Sequence, residues 1–564
     1  MKRVVRFTLL AACSALSAYS VCQGIQPEKS VEYARLYSEV ETAITTGSVK
    51  PETIEKMKRM IAIYDQNGDI RFQLAIALVN SGKYEESLPH YEAALKLGAF
   101  ANKFEASVYY DMACAYAKTG QKEKAFQFVQ LALDKGFRDI EHLRTDGDLE
   151  SLHADKRWAQ LSATADVKKM TRDQAWRYDI WFANRELRRI HLNPYRFHTP
   201  KEFDTFVKAL DRDVPKLSDA QITARIQELF QMAGDGHTGI RPGNDSPLVR
   251  RVGLQFFAFS DGIFVTLAEP SLKEFAGAKL LAVEGKPVQE VMDGIAKYTH
   301  HDNDQSWLSN KTIRLTLPAF LNGAGFAKKP DEVTFTFQLS SGETKTHTFP
   351  AITTPPAPTW ISARAESKNP VPLYIKNQQA AYFAEEIPEL DAMYVQYNAV
   401  RSDPAESLPT FCKRVFETMD AKNIQRLILD VRWNGGGNSF LNRSIHEGIM
   451  RRERLNKKGN LFVITGRNTF SAAQNFTTDI TRFANPILVG EPTGSSPNFV
   501  GESIRITLPY SKMTGTISDL YWQRSWPMDH RTWLAPNLPA PPVFSLFKDN
   551  RDPAMEAITA FLKG

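Results

Sequence analysis

The sequence predicts a multidomain protein in which an α-helical repeat domain precedes an α/β region, a layered βα core that also carries a β-rich segment. Three observations support this fold class. One helical stretch repeats itself at a constant offset, the hydrophobic period changes near Pro242 from helical to strand-like, and short apolar strands alternate with helices towards the C-terminus. A chain of 564 residues is too long for one ordinary hydrophobic core, so several domains are expected.

The helical repeat lies in the N-terminal third of the chain. Residues 69–99 match residues 108–137 at a constant offset, and small residues or turn glycines occupy equivalent positions: Gly82 and Gly120, Ala75 and Ala113, Gly98 and Gly136. The pattern resembles tetratricopeptide repeats, with flanking helices over 28–64 and 141–165 as caps. Such repeats commonly present a docking face for a protein partner; the alternative is a purely structural spacer.

The first 22 residues have the pattern of a secretory signal peptide, in which basic residues precede the apolar run FTLLAACSAL and small residues follow. Cleavage after Ser20 or Cys22 is predicted, and the sequence LAAC ending at Cys13 offers a lipid anchor as the alternative. No later segment is apolar for long enough to span a membrane. A periplasmic or secreted protein is therefore expected.

The composition argues against several functions. The formal net charge is only +6 and no long Lys/Arg run occurs, so no nucleic-acid binding is expected. Cys114 and Cys412 lie beyond the signal peptide and are predicted to be two buried free thiols. No zinc-like spacing appears, and no cofactor is predicted.

The patterns after the repeat domain define the remaining segments. A helical part ends in the turn GDGHTGI, β-like runs such as GLQFFAFSDGIFVTLAE follow, and the strands RLILDV, LFVITG and NPILVG each meet a glycine turn or a helix; TTPPAPTW (353–360) is interpreted as a linker or edge loop. The expected segments are 1–22, signal peptide; 23–168, helical repeats; 169–243, a helical part with His237; 244–375, the β-rich segment; and 376–564, the α/β core.

Three glycine-associated motifs could carry chemistry. GDGHTGI (234–240) leaves the ring of His237 little local cover, DVRWNGGGNS (430–439) is a glycine loop after a strand, and ITGRNTFSAAQNF (464–476) leads from a strand through Ser471 into a helix. Ser471 with Gln474 could simply form a helix capping box. The same strand–turn–helix arrangement is how unrelated hydrolases expose a reactive serine.

Taken in this order and with VGEPTG (489–494), the motifs resemble the tail-specific and tricorn-core serine peptidase family, the C-terminal processing peptidases. The resemblance covers about residues 170–540. Residues 244–375 resemble the PDZ-like segment of that family, with RVGLQF (251–256) as a carboxylate-binding loop and GAKLLAVEGKPV (277–288) as the following strand and turn.

The resemblance implies a serine endopeptidase that cuts peptides or unfolded protein through an acyl-enzyme. Ser471 would be the nucleophile and His237 the general base. Backbone N–H groups of Gly436 or Gly437 and of Ala472 would hold the oxyanion, where one donor can be worth about 3 kcal/mol. Neither a metal nor an organic cofactor is implied.

Two departures from the family pattern affect the site. The processing-protease branch has a lysine base after the serine, but residues 459–511 contain no lysine and the corresponding position is Ser496, which favours His237. The orienting carboxylate of the tricorn-like branch is a glutamate. In this chain Asp529, within WPMDHRTWLAPN, is the first candidate, with Glu502 and Glu491 as alternatives.

Other interpretations remain open at the level of sequence. The segment HHDND (300–304) is interpreted as a solvated loop rather than a metal site. A non-catalytic, peptidase-like scaffold that binds peptide tails through its repeats and PDZ-like segment is the main alternative function. An esterase or amidase acting on small molecules through the same residues is a further one.

Overall fold

The computed structural model describes residues 26–98, 102–137, 139–353 and 359–564. The predicted signal peptide, including Cys13, and residues 354–358 of the predicted linker lie outside these ranges. The chain divides into two compact units, with the boundary between Ala165 and Asp166.

The first unit is helical. In each predicted repeat, two helices pack against each other across a glycine turn, and Gly82, Gly98, Gly120 and Gly136 all have φ between 62° and 86°, which glycine adopts without strain. The matched alanines of the two repeats are fully buried where the helices cross. The helices are α1 (Pro27–Thr45), α2 (Pro51–Ile63), α3 (Gly68–Asn80), α4 (Tyr84–Leu97), α5 (Asn102–Lys118), α6 (Lys122–Asp134), α7 (Ile140–Thr145) and α8 (Lys156–Leu161).

The second unit begins with the predicted helical segment. Thr171 and Ser218 start two of its helices with capping boxes, in which each hydroxyl accepts a hydrogen bond from a backbone N–H three residues on. The last helix ends just before the GDGHTGI turn, which leads into a short strand. These elements are α9 (Arg172–Ile190), α10 (Pro200–Asp213), α11 (Asp219–Gln231) and β1 (Gly239–Arg241).

The β-rich segment folds as an antiparallel sheet in the order β2-β3-β4-β6-β7, with β5 paired to β4 and β8 paired to β3. Alternating residues of its strands, such as Phe335 and Phe337, form an aromatic-rich core with the segment's helices. The elements are β2 (Leu254–Phe259), β3 (Gly262–Ala268), β4 (Lys279–Val283), β5 (Lys286–Pro287), α12 (Val288–Gly294), α13 (Asp304–Leu315), α14 (Pro318–Gly323), β6 (Glu332–Gln338), β7 (Thr344–Pro350) and β8 (Ile361–Ser362).

The α/β core contains a sheet in the order β16-β13-β12-β11-β10-β9, parallel except for β9. The predicted strands RLILDV, LFVITG and NPILVG are its central strands, and apolar side chains on both sheet faces are buried, as their continuous apolar runs require. Its other elements are α15 (Leu373–Lys376), β9 (Tyr382–Ile387), β10 (Ala392–Tyr397), α16 (Leu408–Ala421), β11 (Arg426–Asp430), α17 (Arg443–Met450), β12 (Leu461–Thr465), α18 (Ala472–Phe483), β13 (Ile487–Gly490), β16 (Leu538–Pro539), α19 (Phe544–Lys548) and α20 (Pro553–Lys563).

A long hairpin that the sequence patterns did not single out completes the second unit. Its strands, β14 (Asn498–Thr507) and β15 (Thr514–Gln523), pair antiparallel, and β1 adds to the free edge of β15. Because β1 begins at Gly239, within GDGHTGI, the hairpin holds the turn that carries His237 in place.

Two further expectations can be compared with the structure. Cys114 and Cys412 are both free and buried, as predicted. Among the described residues, every helix is too short or too polar to cross a bilayer.

Candidate active site

Ser471 lies at a sharp turn between β12 and α18. Its backbone has φ 53° and ψ −123°, a conformation that a non-glycine residue rarely adopts and that costs about 1–3 kcal/mol. This geometry differs from that of an ordinary N-cap residue, and the hydroxyl makes no capping hydrogen bond. Of the two interpretations that the sequence left open for Ser471, the capping box with Gln474 is therefore not formed, and the hydroxyl is not committed to the helix.

The glycine loop passes directly against this turn. A Cβ atom on Gly436 would lie 2.7 Å from the Ser471 Cβ and 2.8 Å from the Ala472 nitrogen, so only glycine fits there. A backbone hydrogen bond fastens the approach, since Phe470 donates its N–H to the Asn434 carbonyl (3.0 Å).

Three backbone N–H groups beside Ser471 differ in whether they already donate a hydrogen bond to a described residue. Gly436 donates its N–H to Oδ1 of Asn434 (2.9 Å), so the expectation that Gly436 could serve as an oxyanion donor does not fit the structure. The N–H groups of Gly437 and Ala472 donate no hydrogen bond within the described part of the chain. Ala472 is the first residue of α18, where the N–H has no helical partner and the helix dipole is positive.

His237 and Ser471 line one open cavity of about 460 Å³. The imidazole is stacked against two aromatic rings, Phe470 with a centroid separation of 4.5 Å and Phe499 with 5.5 Å. Within the described residues, neither ring nitrogen has a hydrogen-bond partner. The structure thus brings the two predicted residues to the same cavity, but the hydrogen bond between them is not formed.

Burial controls the protonation of His237. It lowers the imidazole pKa from its ordinary value of 6.5 to about 4, and the negative charges of Asp235 and Glu502 only partly oppose this shift. At neutral pH the ring is therefore uncharged, which is the form that can accept a proton.

Asp235 holds the turn that carries His237. Its Oδ1 atom accepts hydrogen bonds from the backbone N–H of His237 (2.9 Å) and from the Ser518 hydroxyl (2.7 Å). Its Oδ2 atom lies 2.8 Å from Nε2 of His191. Because Nδ1 of His191 accepts from the backbone N–H of Asn193, Nε2 must carry the hydrogen that is donated to Asp235. Sequence reasoning missed this carboxylate, although it stands two residues before His237.

The segment HHDND (300–304) is not a solvated loop, in contrast to the prediction. Asp302 accepts hydrogen bonds from the Gly236 N–H and from the Ser495 hydroxyl, both at 2.6 Å, and Asn303 is buried. The loop thus packs against the turn that carries His237, and burial raises the pKa of Asp302 to about 7.

A metal ion is a poor fit to the residues around this turn. Ligand-type atoms of Asp235, His237 and Asp302 lie within 4.8 Å of one another. However, each carboxylate oxygen of the two aspartates already accepts a hydrogen bond from a protein donor. This arrangement is a hydrogen-bonded scaffold rather than an open coordination site.

The structure distinguishes among the three candidate carboxylates. Asp529 does not line the cavity; it accepts two hydrogen bonds from Arg531 (2.9 and 2.7 Å), which lower its pKa. Glu491 is paired with Arg467 and also lies outside the cavity. Glu502 lines the cavity together with His237 and Ser471, and its backbone has a strained φ of 53°.

Comparisons with known proteins support the helical repeats. The tetratricopeptide-repeat model matches residues 106–134, which confirms the second predicted repeat. A chloroplastic protein of Arabidopsis thaliana is 39% identical over 77 residues, 14% of this chain and 22% of that protein. The chain thus spans about a fifth of the length of this curated relative.

Solved structures resemble a large part of the chain at low identity. Mature CPAF complexed with lactacystin is 12% identical, with 69% of this chain and 98% of that chain covered and a TM-score of 0.49. The photosystem II D1 C-terminal processing protease is 14% identical, with 70% and 98% covered and a TM-score of 0.32. At these sequence identities and TM-scores, the resemblance carries no argument about chemistry. The function has to be judged from the site itself.

Proposed function

We propose that the protein is an exported serine peptidase with Ser471 as nucleophile and His237 as general base. One observation carries the proposal: a strained serine at a strand–turn–helix junction lies beside two backbone N–H groups that donate to no described residue, and a neutral imidazole lines the same cavity as the serine. An ordinary helix cap requires neither the strained backbone of Ser471 nor the close approach of the glycine loop.

The proposed reaction follows from these positions. Ser471 Oγ attacks the carbonyl carbon of the peptide bond while a ring nitrogen of His237 takes the hydroxyl proton. The oxyanion accepts hydrogen bonds from the N–H groups of Gly437 and Ala472, next to the positive end of α18. His237 then gives the proton to the leaving amine, and water attacks the acyl-enzyme with the same residue as base.

Glu502 is the carboxylate that we propose to support His237. The pairing of β14 with β15 is interrupted at Glu502, and left-handed backbone there departs from the regular geometry of a strand. Both Glu502 and its neighbour Ser503 consequently line the cavity. A carboxylate at this place favours the imidazolium that forms during the reaction, because it opposes the effect of burial on the His237 pKa.

The remaining parts of the proposal follow from the sequence patterns. Substrates would be peptides or unfolded protein, and the segment over residues 244–375 would serve as a PDZ-like module. The helical repeats would dock a protein partner, and residues 1–22 would direct export.

The function can be tested with a fluorophosphonate probe, which labels activated serines. We expect the full chain to be labelled at Ser471, and Ser471→Ala to abolish the label. Ser496→Ala is the matched control, because Ser496 donates to the Thr532 carbonyl and lies outside the cavity. Equal labelling of the wild type and Ser471→Ala would refute the proposal.

A non-catalytic peptide-binding scaffold is the second candidate. The missing hydrogen bond between His237 and Ser471 favours it, although catalytic hydrogen bonds are often long in the absence of substrate and tighten only when it binds. In this case unfolded protein would bind equally to the wild type and to Ser471→Ala, and neither would cleave it or be labelled.

A further inference from the structure

The cavity beside Ser471 has one wall built from the hairpin of β14 and β15. In their register, which is the same on both sides of Glu502, Phe499 lies opposite Trp522 and Arg505 opposite Thr516. Residues an even number of positions apart on a strand face the same side, so Arg505 shares a face with Phe499, the residue stacked on His237. Ser503, between them, lies on that face as well.

Arg505 brings to this wall a positive charge that has no ion-pair partner among the described residues. Its side chain is exposed, lines the cavity and makes neither a hydrogen bond nor an ion pair with any described residue. Glu502 lines the same cavity, yet no ion pair joins the two side chains in the described part of the chain. Arg432, beside the core sheet, is by contrast paired with Asp552 at 2.9 Å.

The Ser503 hydroxyl adds a second donor. It makes no hydrogen bond to a described residue and lines the cavity two positions before Arg505. A guanidinium with a neighbouring hydroxyl matches the chemistry of a carboxylate, which can accept two parallel hydrogen bonds from the planar fork of an arginine.

We infer that Arg505 and Ser503 form a carboxylate-binding subsite that determines specificity. The preferred substrate would carry a carboxylate close to the bond that Ser471 attacks, supplied either by an aspartate or glutamate side chain or by the C-terminal α-carboxylate of the peptide. This inference rests on the proposed peptidase function and names the substrate class of the same site.

Matched quenched-fluorescence peptides test the inference. One series replaces a single glutamine by glutamate at successive positions around the cleaved bond, and a second compares a free C-terminal carboxylate with its amide. We expect kcat/KM to be about tenfold higher for at least one carboxylate peptide than for its neutral partner, in line with one hydrogen-bonded charged group. The series that shows the preference identifies the source of the carboxylate.

Substitution of the arginine gives the decisive comparison. Arg505→Gln should reduce the ratio of kcat/KM between carboxylate and neutral peptides to about one, and Arg505→Lys should retain part of it because the charge remains. Arg35→Gln is the matched control, because Arg35 is an exposed arginine of α1 in the first unit, outside the cavity. This control should keep the wild-type ratio and the wild-type activity.

The outcomes separate this inference from the proposed function. Cleavage that depends on Ser471 but shows no carboxylate preference, or a preference that survives Arg505→Gln, would overturn the subsite and leave the peptidase intact. Absence of Ser471-dependent labelling and cleavage would instead overturn the function on which the subsite depends. Circular dichroism and urea unfolding of Arg505→Gln, compared with the wild type, check that the variant is folded.

Discussion

At the scale of single residues, Ser471 and Gly436 constrain each other. The serine occupies a strained backbone conformation that needs support from outside its own turn. The loop carrying Gly436 supplies that support, because it approaches so closely that a Cβ on Gly436 would overlap the Ser471 Cβ and the first nitrogen of α18. Position 436 is restricted to glycine, because its φ of 107° is unfavourable for other residues and there is no room for a Cβ atom.

Gly436→Ala should therefore displace the loop from Ser471. A displacement of about 1 Å beside a reacting group can cost about 100-fold in rate, so probe labelling should slow by about that factor. The neighbouring Gly435→Ala is the control, because a Cβ there meets no atom within 4 Å. Equal labelling rates in the two variants would contradict the importance of the close contact.

At the scale of elements, the loop before α13 connects the β-rich segment to the turn that carries His237. Asp302 makes this connection through the Gly236 N–H and the Ser495 hydroxyl. Burial raises the pKa of Asp302, so the stability of the fold should depend on pH through this carboxyl group.

Asp302→Asn should alter the pH dependence of unfolding. Burial raises the pKa of Asp302 from its ordinary 3.8 to about 7, so its contribution to stability is fully present below about pH 3.8 and is lost as pH rises through about 7. Asparagine resembles the protonated form and does not titrate. Urea unfolding at several pH values should show the wild type losing stability relative to the variant between about pH 4 and pH 7, and a constant difference would contradict the assignment.

At the scale of the whole molecule, the two units have separate hydrophobic cores, and every residue of the candidate site belongs to the second. The helical unit is thus not required to build the cavity around Ser471. Its repeats remain available for a role such as docking.

A chain that starts at Asp166 should therefore fold and be labelled by the fluorophosphonate probe at a rate comparable to that of the full chain. Circular dichroism confirms folding, and the same truncation with Ser471→Ala provides the unlabelled control. A folded truncation that is not labelled would show that the first unit is needed for the site.

Local sequence patterns predicted most of the helices and strands, because an element with a buried face carries apolar residues at a regular spacing. The runs RLILDV and LFVITG are β11 and β12, and the turn glycines of the repeats stand where the helices end. No comparable pattern marked the hairpin of β14 and β15. The role of Asp235 was also missed, since its carboxylate bonds to Ser518, which is far away in the sequence.

By itself the sequence determined the repeat helices, the central strands of the α/β core and the three glycine-associated motifs, since each depends on residues close together in the chain. Only the tertiary structure decided which groups surround Ser471. It showed that the Gly436 N–H is already donated, that Asp529 is held by Arg531, and that Glu502 and Arg505 line the cavity. The physical reason is that hydrogen bonds and charges depend on distances in space and not on order in the chain. The pairing of the hairpin with β1 and the packing of the glycine loop against Ser471 set these distances.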